Sequence, residues 1–128
     1  MKTQYTVALS LLMGVAIGVV AVQGLHAQVK PPAYVVVAIR SITDPDGMKT
    51  LMEKASPGAL AAAGGHYVIR TNDVIGLDGA PPKRFVLIGF DNIEKARAWQ
   101  DSPATKEITA LRTKSTDSIS FMVEGVAN

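Results

Sequence analysis

The stretch Gly64-Gly65-His66-Tyr67-Val68-Ile69-Arg70, with its return from Arg84 to Phe90, constrains this chain more than any other. A glycine pair closes a helix, because glycine enters the left-handed conformation at little cost. By the period-two rule, the strand that follows carries His66, Val68 and Arg70 on one face and Tyr67 and Ile69 on the other. Thr71-Asn72-Asp73 interrupts the pattern and Val74 to Leu77 offer to resume it. Asp78-Gly79-Ala80-Pro81-Pro82 is turn chemistry, after which Phe85-Val86-Leu87-Ile88-Gly89-Phe90 runs back.

One strand and one helical region flank this hairpin on each side. Tyr34-Val35-Val36-Val37-Ala38-Ile39 is continuously apolar, which predicts a central strand covered on both faces. Thr43-Asp44-Pro45-Asp46 predicts a helix start, with Asp44 as cap and Pro45 preset for the first turn. Met48, Leu51, Met52, Ala55, Ala59 and Leu60 then recur at helical spacing. Pro57 has no amide for the carbonyl of Glu53, so the helix should kink or restart there, with Ser56 as a second cap. Asp91 and Glu94 form a capping box before Ile93, Ala96 and Trp99, which read as core positions. Ser102-Pro103 repeats the cap-then-proline device, and Ile108 and Leu111 mark the next buried helical face. Ile119 to Val126 closes the domain as a strand, alternating Ile119, Phe121 and Val123 against Ser120, Met122 and Glu124.

The order is β-α-β-β-α-β over residues 33–126, a ferredoxin-like α+β fold. Its four-stranded antiparallel sheet has both helical regions on one face. A single helical layer covers one sheet face, yet the first and third strands are apolar on both. The chain has no further segment to cover the second face, so a second copy of the same sheet is expected there.

Residues 1–27 read as a signal peptide: Lys2 supplies charge, Val7 to Val22 is an apolar run, and Leu25-His26-Ala27 fits a cleavage boundary. The run is shorter than the roughly 20 residues of a membrane-spanning helix. An uncleaved anchor is the other reading. Residues 28–32 follow as a Pro-stiffened linker. Cleavage predicts a periplasmic or secreted protein with no remaining membrane segment. Counts of 13 basic and 11 acidic residues become 12 and 11 when Lys2 is lost, a net charge near +1. Such balance argues against a nucleic-acid partner, which wants a basic patch. With no cysteine and His66 as the mature chain's histidine, a metal site is starved of ligands. No cofactor is expected either, since the mature sequence has no dinucleotide fingerprint or phosphate-cradling loop.

Taken in order, Thr43-Asp44-Pro45, Gly64-Gly65, Arg70, Asp78-Gly79, Pro82, Arg84, Phe90, Trp99, Ser102-Pro103, Arg112 and Val123-Glu124-Gly125 resemble a known pattern. It is that of the domain-of-unknown-function family numbered 1330, within the dimeric α+β barrel superfamily. The resemblance implies a ferredoxin-like protomer and a homodimer packed face to face; it implies no particular activity. Three positions depart from the pattern. Thr71-Asn72 stands where Gly-Gly is usual, Gly89 replaces a carboxylate, and Ala104-Thr105 replaces an aromatic after Ser-Pro.

His66 titrates near neutrality, which makes it the default general acid or base; a rim histidine without chemistry is the other reading. Glu124, a carboxylate in an apolar strand, is its candidate catalytic partner or one half of a structural ion pair. Arg70 and Arg112 are the candidate substrate-binding residues, since a guanidinium grips a carboxylate bidentately. Structural pairing and solvation are their alternatives. The expected site lies between the helix-free sheet face and its covering partner, with Arg70 and Glu124 meeting, if at all, across the dimer. Two functions stay open: an exported protein binding a small organic molecule at the dimer barrel, and a cofactor-independent isomerase, lyase or oxygenase acting on a small carboxylate-bearing substrate.

Overall fold

The structure, a computed structural model, describes residues 30–127. The expected signal peptide and its cleavage boundary lie outside the described residues. In chain order the elements are β1 (Ala33–Ile42), α1 (Pro45–Lys54), α2 (Pro57–Ala62), β2 (Gly65–Thr71), β3 (Arg84–Phe90), α3 (Ile93–Asp101), α4 (Pro103–Ser115) and β4 (Thr116–Glu124). The strands form one antiparallel sheet in the order β2-β3-β1-β4. This is the ferredoxin-like α+β fold, with each helical connection broken into two helices.

Proline sets three of the four helix starts. Pro45, Pro57 and Pro103 stand in the first turn, where a missing amide costs nothing. The restart at Pro57 is capped as expected: Ser56 Oγ accepts from the amide of Ala59 at 3.3 Å. Ser102 does the same for Thr105, also at 3.3 Å. Two capping expectations are corrected. Asp44 occupies the cap position of α1, but its side chain makes no capping bond. The amides of Thr43 and Asp44 instead donate to Ser115 O at the end of α4, which already ties down this turn. At α3 the cap is Asn92, whose Oδ1 accepts from the Lys95 amide at 2.9 Å. The turn out of β3 needs one more residue than expected, and Asp91 pairs with Lys95 Nζ at 2.8 Å instead.

Gly64 closes the helical region with φ +85°, in the left-handed region. Gly65 serves a different need. A Cβ there would lie 2.7 Å from the Phe90 ring and 2.8 Å from Leu60 Cδ1, so glycine lets α2 and β3 close over the start of β2. Between β2 and β3 the chain does not resume a strand at Val74 to Leu77. Ile75 and Leu77 are 85% and 97% exposed, so no partner strand or core rewards extension there.

The sheet has two apolar faces, as the sequence predicts. Ala33, Val35 and Ile39 of β1, with Val86, Ile88 and Phe90 of β3, are buried against the helices. Tyr34, Val36 and Ala38, opposite Gly89, Leu87 and Phe85, face the other way. On β4 the alternation holds: Met122 packs toward the helix-side core, while Ile119, Phe121 and Val123 stand 42–48% exposed on the helix-free face.

Candidate functional site

The face assignment on β2 is corrected by one residue. Tyr67 opposes Ile88 and Ile69 opposes Leu87, which leaves Val68 as an extra residue, a β-bulge. Beyond it the alternation inverts, so Arg70 opposes Val86 and turns to the helix side with Tyr67. His66, opposite Gly89, stays on the helix-free side. His66 and Arg70 therefore do not share a face.

Tyr67 is placed by the helix break. In a continuous helix the Ala55 carbonyl would take the Ala59 amide, which Ser56 has claimed. The Tyr67 hydroxyl donates to Ala55 O instead, at 2.6 Å. The Arg70 guanidinium then lies 4.6 Å from the Tyr67 ring centroid, a cation–π stack that holds its charge in place.

This stack borders a cavity of about 190 Å³ between the helices and the sheet. The core is split into two clusters, one around Phe90 and Ile88 and one around Ile39, Met48 and Leu51, with Val37 packed against both. Both clusters contribute to the cavity wall, and small side chains (Ala55, Ala59, Ala63 and Ala104) leave its helical side unfilled. At one end lies Trp99, whose ring sits 5.4 Å from that of Phe90.

The opposite end carries the charge. Arg70 stands next to the end of β2, Arg84 begins β3 opposite Ile39, and Arg112 comes from the last turn of α4; all three line the cavity. Arg84 is buried, and its Nη1 donates to Asn72 Oδ1 at 2.8 Å. The Nε of Arg112 is buried without a hydrogen-bond partner among the described residues. No carboxylate lines the cavity, and none of the ion pairs of the described residues involves these arginines. Lys54 also reaches the wall, but Glu107 of α4 pairs with it. Burial pushes the Arg84 guanidinium below the ordinary arginine range, and the Arg70 charge pushes it further. Burial does the same to Arg112. Arginine keeps its proton at neutral pH through such shifts. Burial raises Tyr67 above the usual phenol value, against the pull of the Arg70 and Arg84 charges.

Of the four residues the sequence singles out, the structure brings Arg70 and Arg112 together and leaves His66 and Glu124 apart. His66 is exposed on the helix-free face, its ring over Gly89; a Cβ at position 89 would meet His66 Cε1 at 2.7 Å. Glu124, at the end of β4, pairs with Ala33 and faces the helix side at the far edge of the sheet from β2. Since Arg70 also faces the helix side, a dimer through the helix-free face does not bring the two together. The cavity, open in part to solvent, lies under the helices, on the opposite face from the expected site. Sequence reasoning missed Arg84 as a site residue. The available signals were an arginine opening an apolar strand and a run of alanines at cavity-facing positions.

Among the described residues, no group of His, Cys, Asp and Glu could hold a metal ion, and no helix is long and apolar enough to cross a membrane. Several solved structures share the fold. A protein of unknown function from Rhodopseudomonas palustris matches with TM-score 0.59 and 14% identity, covering 77% of this chain and 85% of that one. A dimeric ferredoxin-like protein of unknown function from Thermobifida fusca gives 0.57 and 18%, over 74% and 92%. SnoaB, a cofactor-independent oxygenase from Streptomyces nogalater, gives 0.50 and 12%, over 77% and 96%. At such identities the likeness establishes the fold alone. No curated protein sequence matches the chain. The family model "Domain of unknown function (DUF1330)" matches residues 32–126, the whole of the sheet and its helices, and the chain belongs to that family.

Proposed function

We propose that the protein is an exported homodimer that binds a small organic molecule in the helix-side cavity of each protomer. The observation that carries this is the cavity itself: about 190 Å³ with largely apolar walls, between two core clusters bridged by Val37. Close packing normally fills such space, and an unfilled pocket with a few converging polar groups is the usual form of a ligand site. The lining holds neither imidazole nor carboxylate, and its other proton-bearing groups, Tyr67 and Lys54, are engaged by Ala55 O and Glu107, which supports binding over catalysis.

The dimer reading rests on the helix-free face. Val68, Ile69, Ile119, Phe121 and Val123 are 40–48% exposed there, next to Val36 and Leu87. Covering that face with a second copy would bury roughly 2,000 Å² in total, the obligate class of interface. Native mass spectrometry of protein recovered from the periplasm tests the whole reading. A dimer starting at Gln28 with a small-molecule adduct is expected. A folded monomer at micromolar concentration would overturn the assembly, and a chain still starting at Met1 the processing. Absence both of an adduct and of any melting shift across a panel of ring-sized compounds would overturn the binding.

A further inference from the structure

The cavity is polarised from end to end. Arg70 and Arg84 stand on neighbouring strands at the end of the sheet where β3 begins, and Arg112 reaches the same cavity from the last turn of α4. The other end is lined by Trp99, Leu60 and Ile88. Charges gathered in a low-dielectric site repel one another and lose hydration, a combination that persists where something compensates it. Asn72 gives Arg84 one neutral acceptor and Tyr67 gives Arg70 a π face. Neither supplies a negative charge, and the buried Nε of Arg112 has no acceptor among the described residues.

From this arrangement we infer that the ligand is an organic anion: a carboxylate on a body of one ring, its acid group held by Arg112 and Arg84 beside Arg70. This rests on the binding reading above and names the class of molecule bound. The carboxylate offers a guanidinium two acceptor oxygens in one plane, the geometry that the fork of an arginine matches. It supplies the acceptor that Arg112 Nε lacks and the negative charge that three arginines lack. The size fits as well. A cavity of about 150 Å³ admits benzene, so about 190 Å³ takes a single ring with a carboxylate attached. The apolar end, with the indole of Trp99, would receive the ring.

The probes are benzoate and its uncharged near-isostere benzamide, titrated into the wild-type dimer by calorimetry and by melting shift. Benzoate is expected to bind about tenfold or more tightly than benzamide, the factor that a charge-assisted hydrogen bond contributes. Arg112→Met is expected to remove that preference, bringing benzoate down to the level of benzamide. Arg70→Gln, at the other side of the charged end, keeps the test available if Arg112→Met does not fold. Arg40→Gln, a charge change at the exposed pair with Asp117, is the control and is expected to leave both titrations unchanged. Equal binding of benzoate and benzamide to the wild type would overturn the anion inference while leaving the binding reading intact. Binding of neither probe, with no adduct in native mass spectrometry, would overturn both.

Discussion

The two faces of the sheet are made by the same four strands, yet they solve the problem of apolar surface in opposite ways. The helix-side face is covered by its own chain and keeps a hole in the cover, rimmed by Arg70, Arg84 and Arg112. The helix-free face has no cover among the described residues and carries His66 beside Val68, with Ile69, Leu87 and Phe121 exposing apolar surface along it. Charge collects where the fold encloses it, and uncovered apolar area where it does not. Fixed charge is useful to a ligand against a partly buried wall, where water screens it less than at an open surface; bare apolar area is useful to a flat partner. The same strand serves both faces because the bulge at Val68 turns Arg70 inward after His66 has turned outward.

The sharpest way to break this comparison is to charge the helix-free face. Phe121→Asp places a carboxylate on the proposed interface, beside Val36 of the central strand β1. It is expected to convert the dimer to monomer by light scattering while each protomer keeps its cavity. A dimer that survives Phe121→Asp would show that the interface lies elsewhere. Gly65→Ala is next, acting on the covered face. Its new methyl group meets Phe90 and Leu60, and overpacking of this kind costs about 1–3 kcal/mol, read in denaturant melts. No loss of stability would mean that α2 and β3 separate freely.

Tyr67→Phe sharpens the comparison at the rim of the cavity. Losing the bond to Ala55 O leaves that carbonyl without its donor and is expected to cost about 1 kcal/mol. The substitution also carries a pH signature. Because the Tyr67 phenol is raised in the folded protein, the unfolded chain ionises first as pH rises past its ordinary value of 10.0. That stability is fully present below pH 10 and is lost as pH climbs through the folded value. The wild type should therefore weaken more steeply above pH 10 than Tyr67→Phe; parallel curves would remove Tyr67 as the cause. The smallest effect is expected away from both faces. Asp91→Asn breaks the exposed pair with Lys95 and should leave the melting temperature within experimental error, since water competes for both charges.

Much of this molecule was legible from local pattern. The element order, the restart at Pro57, the Ser56 and Ser102 caps and the left-handed Gly64 each depend on residues within a few positions of one another. The inward and outward sets of β1, β3 and β4 follow from strict alternation, as does the need to cover a second apolar face. Of the candidate site, the sequence marked out Arg70 and Arg112 by residue type.

Tertiary structure decided which way those residues point. A bulge is a mismatch of register between two strands, and nothing in Tyr67-Val68-Ile69 alone specifies that Val68 goes unpaired against β3. That one extra residue moved Arg70 to the face opposite His66 and with it the site from the helix-free side to the helix side. The cavity likewise belongs to no segment. It is bounded by alanines of the helical layer on one side and by strand residues on the other, and α4 brings Arg112 to the end of the sheet where Arg84 begins its strand. Alternation along a chain is set by local backbone geometry, whereas register, enclosure and the meeting of distant charges are set by how the elements pack.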